Sequence, residues 1–534
     1  MDSSHPPPPT PPPVGGEEVC TYCAWVPYAI VAVPIVLPVL LLLLHGPILR
    51  LVGFYIRSLN GEKREVLFRV SAEEALRATP SSKNPPPTTI VGFFHPYCNA
   101  GGGGERVLWA AIHANQLRSP HVLNVVYTGD QASKSTILSN VRNRFDIHLN
   151  PSLVQFIYLQ KRNLVSSSSW PRFTLLGQSL GSVFLALEAF GMLVPDVYID
   201  SMGYAFTVLL AKKLFGIPTG AYVHYPTIST DMLGSLSPEK SFKKRYWQLF
   251  AVLYSYAGSG IDVVVANSSW TAGHLNSLWR GRQEGGEAAP KFDGGLATAI
   301  KWVSGSQGKG DIKVLFPPCA VKKLAEKIPI KEKREDAILY IAQFRPEKNH
   351  ILVLQSFEKF LKTAPERLKN TKLVLVGSVR ADQDEKKVYE LRLLAHELQI
   401  DQNVVFVTNA PWPDVIGWLG KASVGVNAMW NEHFGIGVVE YQAAGLIGVV
   451  HDSGGPKLDI VVEVDGLRTG YHATTADEFA EGFKEALSLS DADTVAMRTR
   501  ARKSSLRFSE EIFEDQWNTI MDTLLGLLEG KKRK

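Results

Sequence analysis

Cysteine is scarce in this chain. Cys20, Cys23, Cys98 and Cys319 are the only four among 534 residues. That is too few for a disulfide framework, so the folded part is expected in a reducing compartment. Cys20 and Cys23 form a CxxC without a second pair or nearby histidines, which leaves a metal or redox role there without support. Charge of one sign is also lacking. Fifty-seven Lys and Arg against 52 Asp and Glu leave a net charge of +5, with none of the basic excess that a nucleic-acid-binding face requires. The run Gly101–Gly104 is not a GxGxxG, and no acidic residue is placed to select a ribose as in dinucleotide sites.

One feature present in full is a long uncharged stretch. Ala24 to Leu44 reads AWVPYAIVAVPIVLPVLLLLL, and 21 residues at about 1.5 Å each span roughly a 30 Å hydrocarbon core. It follows a proline-rich start, so 1–23 is expected to be a disordered tail, 24–52 a transmembrane anchor and 53–87 a linker. A cleaved signal peptide would need a basic start and a small-residue cleavage site, and neither is present. Asp2, Glu17 and Glu18 precede the stretch, whereas Arg50, Arg57, Lys63 and Arg64 follow it. The positive-inside bias therefore places everything downstream in the cytosol. The C-terminal Lys531-Lys532-Arg533-Lys534 resembles a dilysine retrieval signal and equally reads as a solvated basic tail.

From residue 88 short apolar runs alternate with amphipathic stretches. TTIVGFF, NVVYTG, VQFIYL, DVYID and DVVVAN read as buried strands, and ERVLWAAIHANQL as a helix between them. Residues 281–311, rich in glycine and charge, read as a flexible exposed insertion. The alternation restarts with AILYIAQF, KLVLVG, NVVFV, ASVGVNA and GVVHD. The fold class is thus α/β, with two Rossmann-like doubly wound domains (88–325 and 326–505) facing a cleft, followed by a C-terminal helix and basic tail over 506–534. Thr174 to Leu193 is long and apolar, with Glu188 its only charge, and is expected to be a buried or membrane-touching helix rather than a second span. SFKKRYWQLFAVLYSY joins basic to aromatic residues, as an anionic lipid interface attracts.

Four stretches could carry chemistry. His95 to Glu105 follows the first strand, and its glycines let backbone amides approach an anion. Gln343 to His350 follows the first strand of the second domain, and its Arg345 and Lys348 suit a diphosphate. Trp430 to Glu440 sets Glu432 in a strand–helix loop and Glu440 inside the helix, two carboxylates suited to sugar diols. Tyr222 to Met232 ends a strand with His224 at the cleft.

Together these stretches resemble the retaining GT-B glycosyltransferases of family four. HPYCNAGGGGERVLW, FTLLGQSLGS, PDVYIDSMGYAF, YVHYPTISTDM, QFRPEKNH and MWNEHFGIGVVE are more closely similar to the GDP-mannose-dependent alpha-1,2-mannosyltransferases of dolichol-linked oligosaccharide assembly. The resemblance covers most of 88–525. It implies GDP-mannose as donor and a dolichyl-diphosphate-linked pentasaccharide as acceptor. It further implies addition of the fourth and fifth mannoses, with retained configuration, on the cytosolic face of the endoplasmic reticulum. The implied partners are that membrane and other mannosyltransferases of the pathway, with no nucleic acid. By motif, Arg345 and Lys348 would hold the donor diphosphate and Glu440 the ribose. Glu432 would hold the transferred hexose, with His224 beside its reacting carbon. Gly101, Gly102 and Gly103 would border the phosphates; Phe434, Gly435 and Ile436 would complete the sugar pocket, and Tyr225 and Asp231 would lie on the acceptor side. No cofactor is implied. Asp382-Gln383-Asp384 has the spelling of a metal-binding DxD but sits in the charged VRADQDEKK, so metal independence is expected. Two other readings stay open on the residues alone: a retaining mannosyltransferase with another lipid acceptor, and an inactive membrane scaffold of the same fold.

Overall fold

The computed structural model describes residues 46–78, 86–234, 241–282, 294–305, 310–379 and 382–532. The proline-rich tail and the uncharged run at 24–44 lie outside the described residues. The first sheet contains β1 (Thr89–Phe94), β2 (Val122–Thr128), β3 (Val154–Tyr158), β4 (Val197–Asp200), β5 (Thr219–Val223), β6 (Val263–Ala266) and β7 (Lys313–Val314). Their order is β3-β2-β1-β4-β5-β6-β7. The second sheet contains β8 (Glu335–Ile341), β9 (Lys372–Gly377), β10 (Val404–Thr408), β11 (Ala422–Asn427), β12 (Ile447–His451) and β13 (Gly470–Ala473), in the order β10-β9-β8-β11-β12-β13. The pairings within both sheets are parallel.

Parallel strands need crossover helices on both faces, so their side chains are buried on both. β1 and β2 are accordingly buried at every position, which is why they read as unbroken apolar runs. In each sheet the order reverses beside the first strand: between β1 and β4, and between β8 and β11. Loops leaving these strands splay apart and open a crevice at their carboxyl ends. The four candidate stretches leave β1, β5, β8 and β11, so three of them belong to strands at these reversals.

The C-terminal helix Glu510–Lys532 returns to the first domain. Phe513, Trp517, Ile520 and Leu524 pack into the core beneath the Gly103–Arg118 helix. Trp517 Nε1 donates to Asn115 Oδ1 at 2.9 Å, and Asn115 Nδ2 donates to Asn124 Oδ1 at 2.8 Å. Arg106–Glu510 (2.7 Å) and Arg118–Asp522 (3.1 Å) flank this seam.

Three expectations change. The interval 53–87 is not a simple linker. A helix over 46–58 and the helix Gly61–Ala78 dock on the first domain, where Arg57 and Arg64 both reach the buried Asp196. Asn60 Oδ1 also accepts from the Val194 N–H at 2.6 Å. Nor is all of 281–311 flexible: Gly294–Gly305 is a helix whose Leu296 and Ile300 enter the core. The changeover also comes before 325, because Cys319, Val321 and Leu324 pack into the second domain's core. Thr174–Met192, long and apolar enough to cross a membrane, packs Leu185, Ala186, Ala189 and Phe190 into the first core. Its Glu188 accepts from the Gln160 and Lys161 N–H groups at 2.8 and 3.1 Å.

Replacing Trp517 by Ala empties the seam between the C-terminal helix and the first sheet. Urea unfolding of the full chain should show a loss of about 3–5 kcal/mol in the first domain's transition, and Trp517→Phe, which keeps most of the packing, a smaller one.

Candidate functional site

A cavity of about 890 Å³ lies between the two domains. Gly101–Gly104, Arg106, His224 and Asn267 form its first-domain wall. Across from them stand Lys348, Glu432, Phe434, Gly435, Ile436 and Glu440, with Gln343, Ser378, Asn409 and Trp412 further along the second domain.

Two helices begin at this cavity and point their N-termini across it. One is Gly103–Arg118, the other Ile436–Ala444. The first N–H groups of any helix lack intrahelical partners, and the helix dipole adds partial positive charge there. The two ends meet closely enough that a Cβ on Gly103 would lie 2.7 Å from Ile436 Cδ1. An anion placed between them is solvated by both.

The side chains follow from what the local backbone does. β11 ends at Asn427, and the loop to Gly435 (φ +109°) carries Glu432 into the cavity. Its carboxylate accepts from Lys348 Nζ at 2.5 Å. Lys348 closes a short turn, Pro346–Lys348, whose carbonyl accepts from Tyr340 Oη at 2.5 Å. Arg345 opens the same turn. It is exposed and absent from the cavity wall, because one tight turn sends only the lysine inward.

Glu440 sits in the second turn of its helix, buried, and burial pushes its carboxyl up to about 7 against the pull of Arg106. His224 is half-buried, with its Nε2 atom buried and unpartnered among the described residues. Burial, then the neighbouring His95, lowers its pKa to about 4. It therefore meets a ligand as a neutral imidazole. Phe434 packs between Phe316 and Phe508, at centroid distances of 5.6 and 5.4 Å.

Tyr225 and Asp231 do not line the cavity. They cross the domain boundary instead: Tyr225 stacks on His433 at 4.4 Å, and Asp231 accepts from Asn431 Nδ2 at 2.8 Å. Sequence reasoning missed Arg106, although its place directly after the glycine run and one turn into a helix was a readable signal. It also missed the pair behind His224. His95 Nε2 lies 3.5 Å from Glu105 Oε1; although burial opposes it, His95 and the Gly102 N–H hold the Glu105 carboxyl below its ordinary range. Among the described residues no group of three or more His, Cys, Asp or Glu could hold a metal. Asp382 and Asp384 lie in the first turn of a helix, off the cavity wall.

The arrangement can bind a nucleoside diphosphate sugar: an anion cradle, Lys348 with further cations on the wall (Arg106, Arg142, Arg144, Lys323 and Lys327), two carboxylates for diols and a neutral imidazole. Residues 88–279 match the family described as ALG11 mannosyltransferase N-terminus, and residues 311–504 match glycosyl transferases group 1. The chain is similar to the GDP-Man:Man(3)GlcNAc(2)-PP-Dol alpha-1,2-mannosyltransferase of Neurospora crassa, with 54% identity over 83% of this chain and 82% of that protein. The proteins of that name in Mus musculus and Homo sapiens are each 43% identical, over 84% of this chain and 90% and 89% of theirs. Among solved structures, Anabaena Alr3699/HepE in complex with UDP and glucose matches with a TM-score of 0.53 at 14% identity, covering 82% of this chain and all of that one. The Candida albicans trehalose-6-phosphate phosphatase N-terminal domain matches at 0.58 and 13%, over 84% and 98%. At such identities they show the fold alone.

Glu440 also makes stability pH-dependent. Its folded pKa is raised, so the folded state loses stability as pH climbs from about 4.5 to about 7. Glu440→Gln should flatten that part of the profile and gain stability relative to wild type at pH 8, read by thermal unfolding.

Proposed function

The chain belongs to the ALG11 alpha-1,2-mannosyltransferase family, and from that premise we propose how its residues move mannose from GDP-mannose to a dolichyl-diphosphate-linked Man(3)GlcNAc(2) acceptor. The observation that carries the reading is the pair of helix N-termini meeting over Lys348 and Glu432. The diphosphate lies beside the contact of Gly103 with Ile436, against the N–H groups of both helix starts, with Lys348 as its cation. The ribose diol donates to Glu440. The mannose rests against Glu432 and His224, with Phe434, Gly435 and Ile436 closing its pocket. Arg345, on the solvent side of its turn, contributes long-range charge alone.

Donor and product are both alpha-linked. A retaining hydrolase would need two free carboxyl groups about 5 Å apart, one of them a nucleophile. Here Glu432 is engaged by Lys348 and Glu440 is buried within its helix. Substitution on one face fits better. The bond from mannose C1 to the diphosphate oxygen breaks, and that oxygen takes the proton of the acceptor hydroxyl as the new bond forms. Lys348 and the two sets of helix amides stabilise the departing charge, so no metal is required.

The acceptor is a lipid, and the protein's surface suits a bilayer. Leu51, Phe54 and Tyr55 on the 46–58 helix, directly after the apolar run, are exposed, as are Leu180 and Phe184. Lys243 lies 4.6 Å over the Trp247 ring, a pairing found at lipid interfaces. We place the enzyme on the cytosolic face of the endoplasmic reticulum, anchored by 24–44, where it adds the fourth and fifth mannoses.

Full-length protein with GDP-mannose and a phytanyl-diphosphate Man(3)GlcNAc(2) in EDTA should yield products one and two mannoses longer, both trimmed by an alpha-1,2-mannosidase. Glu432→Gln should lower kcat/KM by about 10²–10³-fold, on the scale of losing one group preorganised for the transition state. Transfer that needs a divalent cation, or survives this change, would overturn the assignment.

A further inference from the structure

Glu432 is followed at once by a residue that faces the other domain. His433 is packed between Tyr225 (4.4 Å between ring centroids, 36°) and Trp270 (5.2 Å, 31°), both from the first domain. Trp270 is in turn set edge-on to His274 at 4.1 Å. Asn431, two residues earlier, donates to Asp231 of the first domain at 2.8 Å. The stretch 431–433 therefore presents Glu432 to the cavity, Asn431 to the opposite domain, and His433 to both.

The loop's backbone is held from its own domain. Asn431 takes a left-handed conformation, φ +52°, and its N–H donates to Ser453 Oγ at 2.8 Å. The Gly455 N–H donates to the Glu432 carbonyl at 2.8 Å. Gly454, at φ +66°, leaves no room for a Cβ, which would sit 2.3 Å from the Glu432 carbonyl oxygen. The second domain thus fixes the path of the loop. Asn431 and His433 take their described positions only with the first domain in place, because separating the domains removes Asn431–Asp231 and both ring contacts together; the Glu432 carboxylate between them is met by Lys348 Nζ at 2.5 Å and Asn427 Nδ2 at 3.5 Å.

We propose that His433 is a positioning residue: its imidazole, seated between Tyr225 and Trp270, couples closure of the two domains to the placement of Glu432 at the transferred sugar. This rests on the reading that Glu432 contacts that sugar. A carboxylate aligned only in the closed state withholds transition-state stabilisation until donor and both domains are assembled, which limits loss of donor sugar to water. The coupling acts through shape and ring packing. It predicts a larger effect on turnover than on nucleotide affinity, since Lys348, Glu440 and the helix end at Ile436 belong to the second domain and only the Gly103 end belongs to the first.

The test compares wild type, His433→Ala, His433→Phe and Trp270→Ala in the full-length protein. For His433→Ala, kcat for mannosyl transfer should fall about tenfold to a hundredfold, the loss expected for two aromatic pairs that hold a catalytic group. GDP affinity by calorimetry should fall less than kcat does, by no more than about tenfold, the share of the one helix end that the first domain supplies. His433→Phe should restore kcat to within about threefold of wild type. Trp270→Ala should resemble His433→Ala, and the double variant should be little worse than either single one. Transfer by His433→Ala at the wild-type rate would overturn the proposal, as would failure of His433→Phe to rescue, or a parallel loss of GDP binding. Hydrogen exchange gives a readout independent of activity. The segments around 430–434 and 269–274 should lose protection together in His433→Ala and regain it in His433→Phe. That pattern in a wild type that transfers no mannose would indict the assigned reaction and leave the coupling standing; unchanged exchange would overturn the coupling.

Discussion

Two helix N-termini pointing at one another across a cleft form the constraint on which this protein depends. Each carries roughly half a positive charge and N–H groups without partners. At the first of them the Glu105 carboxylate accepts from the Gly102 N–H and offsets part of that charge. On the proposed reading, a diphosphate bound there is met by N–H groups from both sides. Parallel-sheet topology places the ends there: the helix after β1 and the helix after β11 both start beside a strand-order reversal. Glycine at 103 permits the approach, and Ile436 sets its limit.

The remainder of the molecule keeps those two ends in register. The C-terminal helix leaves the second domain and straps itself to the first, burying Trp517 beneath the helix that begins at Gly103. Arg106, one turn into that helix, pairs with Glu510 at the start of the strap and lowers the cost of burying Glu440. On the far side of the cleft, the Ser269 N–H donates to Asp459 at 2.9 Å, near the aromatic seat of His433. Binding residues drawn from both domains can then act as one surface.

Much of this was legible in the sequence, for a physical reason. Strands buried on both faces must be continuously apolar, so β1, β2, β8 and β9 announced themselves, and the glycine run and the Glu432–Glu440 spacing marked strand ends. β7 and β13 did not, being two residues long and GYHA respectively. The Gly294–Gly305 helix was masked by the glycines and charges around it. Arg345 and Lys348 were equivalent by composition, and the turn over Pro346–Lys348 brings Lys348 to the cavity wall while Arg345 stays exposed. The contacts of Tyr225 and Asp231 with His433 and Asn431, about 200 residues away, were not legible. Contacts at that separation leave no local periodicity to read.

The central claim is that the diphosphate is held by these facing amides and one lysine, with no metal. Calorimetric titration of wild-type protein with GDP, GMP and guanosine in EDTA tests it most directly. With each helix end and the lysine contributing about 1–2 kcal/mol, GDP should bind at least roughly 100-fold more tightly than guanosine, with GMP between them. Equal affinities for the three, or binding of GDP that appears only when a divalent cation is restored, would contradict it.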